Sequence, residues 1–398
     1  MGDQHIIYMD HAATTYVRPE VLEAMIPYHT GHFGNPSSIY GIARDAKKTV
    51  ESARAQVAKA LGALPEEIYF TSGGSESDNW AIKGIATANR KKGLHIITSS
   101  IEHHAVLNTC EFLEKEGFQV TYLPVDEFGL VNPDDLEKAI TSETILISIM
   151  YANNEIGTIE PIGELGAIAR KHHVYFHTDA VQAIGNVGID VRSQNIDLLS
   201  LSAHKFYGPK GVGALYIRKG VKLANLIHGG GQEHGKRAGT ENLAGIVGLG
   251  KAIDLAVADI PEHNVKLRAM RDRLLDGVLR TIPHAKLNGH PEKRLAGNFN
   301  VSFDFIEGES MLLWLDDEGI CGSTGSACTS GSLSPSHVLL ACGMPAESAH
   351  GSLRLTLGDE NTADDVDRVL DVLPKVVAKL RNMSPLFQNA TKEEEYHV

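Results

Sequence analysis

Two charged side chains frame the chemistry available to this chain. Asp179 stands in HTDAVQAIG just after one strand-like run, and Lys205 stands in SAHKFYGPKG just past the next. As generic features, an acid and an amine at such positions form a structural ion pair more often than not. The alternative is that both face one cofactor: pyridoxal phosphate uses a lysine for its Schiff base and an acid for its pyridinium nitrogen. A phosphoryl group also needs hydroxyls and backbone donors at a helix amino terminus. TSGGSESDNW at 71–80 offers them, with Gly74 and Ser75 at the point where a helix should open. By itself this is equally an ordinary Ser cap. Neither GxxxxGK[ST] nor GxGxxG occurs, which excludes the usual nucleotide loops.

Three more constellations follow strands. His103 and His104 read singly as capping or surface residues, or one of them lies flat on a heteroaromatic ring and moves protons. Asn153 and Asn154 read as turn formers, or as groups that orient a substrate or cofactor oxygen. The run GSTGSACTSGSLSPS at 322–336 carries one thiol, Cys328, among residues with little to bury. A thiol is a liability on exposed chain, so a functional Cys328 is the better reading than a linker with an incidental cysteine. Gly-rich flanks of this length give an excursion of roughly 15 Å.

These residues need a frame that gathers them. Strand-like runs occur at 67–71, 95–99, 119–123, 144–150, 174–178, 198–202 and 213–217, alternating with helix-like segments. This pattern predicts an α/β fold with a largely parallel sheet covered on both faces, and ligands of such sheets collect at the carboxyl ends of the strands. Ile42, Ala46, Val50, Ala53, Val57 and Leu61 predict a packing helix stopped by Gly62. A long helix is expected after Gly235 towards Leu279. Beyond it, strands at 298–303 and 352–357 and a helix at 310–319 predict a smaller α+β domain, and the last residues read as a solvated tail.

Composition narrows the function classes. The chain has 398 residues, 22% charged and 42% hydrophobic, with a net charge of −13. That balance disfavours nucleic acid and acidic membrane surfaces as ligands. No apolar run approaches the roughly 20 residues of a membrane span. Cys110, Cys321, Cys328 and Cys342 fit neither CxxC metal pairs nor a disulfide framework, which points to a reducing, cytoplasmic setting. The 19 histidines, including pairs at 103–104 and 172–173, leave a metal-binding scaffold as a competing reading, but HExxH geometry is absent.

Taken in order, IYMDHAATT, GNPSSIYG, TSGGSESDN, EHHAV, NNEIGT, HTDAVQ, SAHKFYGPKG, RAGTEN, GSACTSGS and SLRLTLG resemble the cysteine desulfurases of the NifS/IscS type over nearly the whole chain. The resemblance implies an aspartate aminotransferase-like, fold type I pyridoxal-phosphate enzyme. Its large domain would have a mainly parallel seven-stranded sheet and span 16–259. Its small domain would comprise 1–15 and 260–398, with a mobile loop at about 321–336 carrying the catalytic cysteine.

By the same likeness Lys205 is the Schiff-base lysine, Asp179 pairs with the pyridinium nitrogen, His103 stacks on the ring and manages a proton, and Gln182 bonds the phenolic oxygen. Ser75, with Gly74, Ser202 and His204, would hold the phosphate, joined by Thr240 from the partner subunit of a homodimer. Asn154 and Arg354 would bind the carboxylate of L-cysteine. Cys328 would accept the sulfur as a persulfide and pass it to an acceptor protein such as an iron–sulfur scaffold, and could also ligate a transferred cluster. No resident metal is implied. An aminotransferase or a selenocysteine lyase of the same fold are the neighbouring readings. Asp359, where a basic residue is frequent, raises a question about charge near the carboxylate site.

Overall fold

A computed structural model describes residues 6–324, 335–385 and 387–388. Strand β1 (Ile7–Tyr8) begins the described chain. The central sheet is built from β2 (Ile68–Thr71), β3 (His95–Ser99), β4 (Gln119–Leu123), β5 (Thr144–Ser148), β6 (Tyr175–Asp179), β7 (Leu198–Ser202) and β8 (Gly213–Ile217). Its seven strands run in the order β2-β8-β7-β6-β5-β3-β4. Strands β4, β3, β5, β6 and β7 pair in parallel, whereas β8 is antiparallel to both β7 and β2. Since β8 alone of these seven is reversed, the ends of β2, β3, β5, β6 and β7 open on one edge.

Successive strand residues enter different cores, as a two-faced sheet requires. Ile97, Ile147, Leu199 and Ala214 pack with helices Gly41–Leu61 and Leu243–Thr281. Ile96, Leu146, Leu198 and Leu215 pack with Trp80, Ile82 and Ile85 of helix Gly74–Asn89 and with Val106 and Leu113 of helix His104–Lys115. Gly62 ends its helix at φ 66°, a left-handed conformation natural to glycine.

A third core lies beyond the sheet. There β9 (Ala285–Leu287), β10 (Asn298–Phe303) and, after β11 (Ile320–Cys321), β12 (Ser352–Thr356) form an antiparallel sheet in the order β12-β10-β9. Helices Gly308–Asp317 and Ala363–Met383 cover it. Ile7 and Met9 are buried in this core, and β1 pairs with β11 in parallel, so the amino-terminal segment joins the carboxyl-terminal elements. Helix Leu243–Thr281 contributes Leu249 and Ile253 to one core and Leu267 and Leu274 to the other, and runs unbroken through Pro261. The boundary expected at 259/260 falls within it. Among the described residues no helix is long and apolar enough to cross a membrane.

Candidate active site

The strand ends converge on one cavity of about 430 Å³, within the usual range for small-molecule sites. Its lining brings together Gly74, Ser75, His103, Asn154, Asp179, Gln182, Ser202, His204, Lys205 and Arg354. Thr240 is exposed and is not part of that lining. Cys328 lies outside the described residues.

Lys205 ends a short helical turn, Ala203–Lys205, that follows β7 directly. Its Nζ donates to the carbonyl oxygens of Ala12 and Ala13, the latter at 2.8 Å. Asp179, the last residue of β6, accepts from Val181 N–H at 2.9 Å. Burial pushes its carboxyl up, while His103 and Lys205 pull it back towards the ionised form. Burial, with the charge of nearby Asp179, holds Asp78 well above the usual carboxylate range. Two acids in one low-dielectric site cannot both ionise cheaply. The carboxyl nearer the cationic groups is the one suited to carry charge.

Helix Gly74–Asn89 opens without a side-chain cap at Gly73, leaving first-turn N–H groups for an anion. Gly73 itself has φ 150° and ψ −174°, backbone essentially restricted to glycine. His204 Nδ1 lies 3.1 Å from Thr14 Oγ1, and burial, with Lys205 and Lys210, pushes its pKa down to about 4. A neutral ring can still donate one N–H to a phosphate oxygen.

His103 caps helix His104–Lys115 by accepting the N–H of Ala105 at Nδ1, 3.1 Å away. On a neutral ring the proton is therefore at Nε2. Gln182 Nε2 donates to Ala12 O at 3.0 Å. Arg354, from β12 and 2% exposed, donates to Asp10 Oδ1 at 2.7 Å and to Asn154 O at 3.1 Å. Asp359 answers the charge question raised by the sequence: Arg18 Nε at 2.9 Å and His263 Nδ1 at 2.8 Å hold it low despite burial, so its charge is neutralised locally.

Several lining or supporting residues escape sequence reasoning. Asp10 sits inside the motif IYMDHAATT, and Glu155 directly follows Asn154 in NNEIGT. Asp78 follows Gly74 by one helical turn, a spacing that places it on the same face. His337, whose ring meets that of His104 at 4.8 Å, carries no comparable signal.

Buried acids near the cavity also set a pH dependence. Glu102 Oε1 accepts from Ser99 Oγ at 2.7 Å and Met150 N–H at 2.8 Å, and burial pushes the carboxyl from 4.5 up to about 8. The folded protein thus holds a proton that the unfolded chain has lost, so this group's contribution to stability falls as pH rises between those values. Glu102→Gln lacks this titration. Between about pH 5.5 and 7.5 the variant is expected to gain roughly 2 kcal/mol relative to the unmodified protein. Urea unfolding of both cofactor-free proteins at each pH measures it. His177, pushed down to about 3, acts in the opposite sense but equally in both proteins.

Residues 7–369 match the family described as aminotransferase class-V, and the chain belongs to that family. It shares the fold type I architecture of these pyridoxal-phosphate enzymes. Within the family it is 64% identical over 391 residues to "Cysteine desulfurase IscS" of Clostridium botulinum, covering 98% of each chain. A solved "NifS-like protein" superposes with TM-score 0.90 at 41% identity, over 94% of this chain and 100% of that one. The structure titled "SspA in complex with cysteine" gives TM-score 0.78 at 41% identity, over 88% and 98%.

The cofactor of this family is pyridoxal 5′-phosphate, and the lining suits it. An uncapped helix start with Ser75, Ser202 and His204 supplies anion donors, Asp179 supplies a buried acid and Lys205 an amine, all in one cavity.

Proposed function

We propose that the protein is a cysteine desulfurase. It converts L-cysteine to L-alanine, transfers the sulfur to Cys328 as a persulfide, and yields it to acceptor proteins for iron–sulfur cluster assembly or other thiolation pathways. The observation that carries this reading is one cavity lined by Lys205, Asp179 and Arg354, an amine, an acid and a guanidinium.

The bound cofactor supplies an electron sink that makes bond cleavage next to the substrate amino group feasible. The chain's own residues do the rest. Ser75, Ser202 and His204 would hold the phosphate, Gln182 the phenolic oxygen, and Asp179 the ring nitrogen. Arg354 and Asn154 grip the substrate carboxylate, and Lys205 Nζ takes the proton from the substrate Cα. Cys328, as thiolate, attacks the substrate Sγ: a sulfur–sulfur bond forms and the Cβ–Sγ bond breaks, its electron pair staying with carbon, which is then protonated. An unperturbed thiol near pKa 8.5 is mostly protonated at pH 7, and His103 manages that proton by giving up its cap on Ala105, since Nδ1 is the ring nitrogen of the neutral imidazole able to accept it.

The described cysteines make poor substitutes for Cys328. Burial raises Cys321, pushes Cys110 and Cys342 up to about 12, and none of the three lines the cavity. All three are unpaired thiols, which supports a reducing cytoplasmic setting. A homodimer fits Thr240, exposed and apart from its own chain's cavity, and the exposed apolar side chains of Phe33 and Ile39, 69% and 88% exposed. The two large segments 16–259 and 1–15 with 260–398 are read as the domains of each subunit.

Cys328→Ser, loaded with cofactor and mixed with L-cysteine, is expected to bind the amino acid with the usual spectral change yet form no persulfide detectable by mass spectrometry. Persulfide and alanine at the unmodified rate would reject the assignment. Alanine made without an added keto acid separates this activity from transamination.

A further inference from the structure

A buried acid in the cavity has no role in the scheme above. Glu155 lines the cavity and is 4% exposed. Its backbone is fixed on both sides: its N–H donates to Asn153 Oδ1 at 2.8 Å, and its carbonyl accepts from Asn298 Nδ2 at 3.1 Å and Asn300 Nδ2 at 2.9 Å. The preceding residue, Asn154, presents its carbonyl to Arg354. The carboxyl of Glu155 accepts the hydroxyl proton of Ser336.

Ser336 marks where the chain beyond Cys328 enters helix His337–Ala341. Its Oγ caps that helix by accepting Leu339 N–H at 3.2 Å. The next residue, His337, bonds Glu102 O through Nε2 at 3.0 Å. The cap is complete without Glu155, because a serine needs no buried acid to accept a backbone N–H. Burying a carboxyl is costly: it pushes Glu155 up to about 7 even though Ser336, Arg354 and His103 counteract it. A costly group retained where helix capping does not need it calls for another use.

We propose that Glu155 is a positioning residue for sulfur transfer: through Ser336 it fixes the start of helix His337–Ala341, to which the Cys328 segment leads, against the corner formed by Asn154 and Arg354. This rests on the desulfurase reading. Recognition of the substrate carboxylate and anchorage of Ser336, the described residue that follows the Cys328 segment, then share one stretch of backbone, 153–155. The tether should act on the sulfur-transfer step and leave cysteine binding nearly unchanged.

The test uses the cofactor-loaded enzyme and L-cysteine, with Glu155→Ala, Ser336→Ala, the double variant and Glu155→Gln. Each single alanine variant is expected to slow persulfide formation on Cys328 roughly tenfold with KM within about twofold, and the double variant to be no slower than the slower single one. Glu155→Gln, whose amide oxygen accepts the same bond, restores most of the rate. In cofactor-free protein, amide exchange over 337–342 rises in Glu155→Ala. Additive losses in the double variant, a glutamine variant as slow as the alanine one, or Ser336→Ala at the unmodified rate would each overturn the proposal. Should Glu155→Ala not fold, Ser336→Ala and Glu155→Gln still decide it. Failure of the desulfurase reading shows itself separately, as unmodified enzyme that makes no alanine from cysteine.

Discussion

Lys205→Ala is expected to lower alanine formation from L-cysteine by at least about 10³-fold, since one amine serves both as covalent anchor and as proton carrier. The loss should be chemical and not architectural. Lys205 Nζ bonds Ala12 O and Ala13 O of the lining, but that segment is also held by Ala12 N–H on Thr356 Oγ1 at 2.8 Å and by Gln182 Nε2 on Ala12 O at 3.0 Å. Lys205→Arg separates charge from nucleophilicity. Its guanidinium keeps a positive charge and donors for the two carbonyls, but it stays protonated and cannot form the Schiff base. It should be as inactive as the alanine variant. Borohydride should fix the cofactor on the Lys205 peptide of the unmodified enzyme and on no peptide of either variant. Turnover above about a tenth of the unmodified rate in either variant would remove Lys205 from its role.

Arg54→Ala is expected to cost about 3–5 kcal/mol of stability, measured by urea unfolding, because it strands a buried charge. Arg54 and Glu233 are both nearly inaccessible, and the guanidinium grips both carboxylate oxygens, at 2.7 and 3.0 Å. Arg54 also donates to Ile68 O at 2.7 Å, and Glu233 accepts from Phe70 N–H at 2.8 Å. The pair therefore pins helix Gly41–Leu61, strand β2 and the 232–242 segment together. Glu233 is held there at φ 46° and ψ 49°, conformational strain tolerated because these bonds fix it. Replacing both partners with apolar residues, Arg54→Met with Glu233→Leu, should recover much of the loss. A single variant within about 1 kcal/mol of the unmodified protein would show that the pair is dispensable.

The central sheet was legible because its strands are short apolar runs closed by small or polar residues, and the structure places strands at 95–99, 119–123, 198–202 and 213–217 as the sequence reading has them. The reversal of β8 was not legible, since a run such as GALYI reads alike in either direction. Lys205 and Asp179 were visible because Asp179 ends a strand and Lys205 stands in the turn that follows the next one. Their surroundings were less so. Arg354 meets Asp10 across nearly the whole chain, and Ser336 meets Glu155 from another element. Local periodicity carries no information about such pairings, and a buried acid such as Glu102 or Asp78 looks like any surface acid until its neighbours are known. The resemblance supplied roles, but it named neither Asp78 nor Glu155.

The pairing of β1 with β11 bears on the order of assembly during synthesis. Ile7 lies beside Ile320, and Asp10 waits for Arg354. The strand pairing and the Arg354 ion pair of this early segment therefore form late. Strands β2 to β8 can pair while translation continues, since all lie before residue 218. Ala12 N–H, beside the carbonyls that Lys205 bonds, donates to Thr356 Oγ1, a partner from the final third of the polypeptide. The cavity should therefore be completed after synthesis ends, and cofactor capture should follow release from the ribosome.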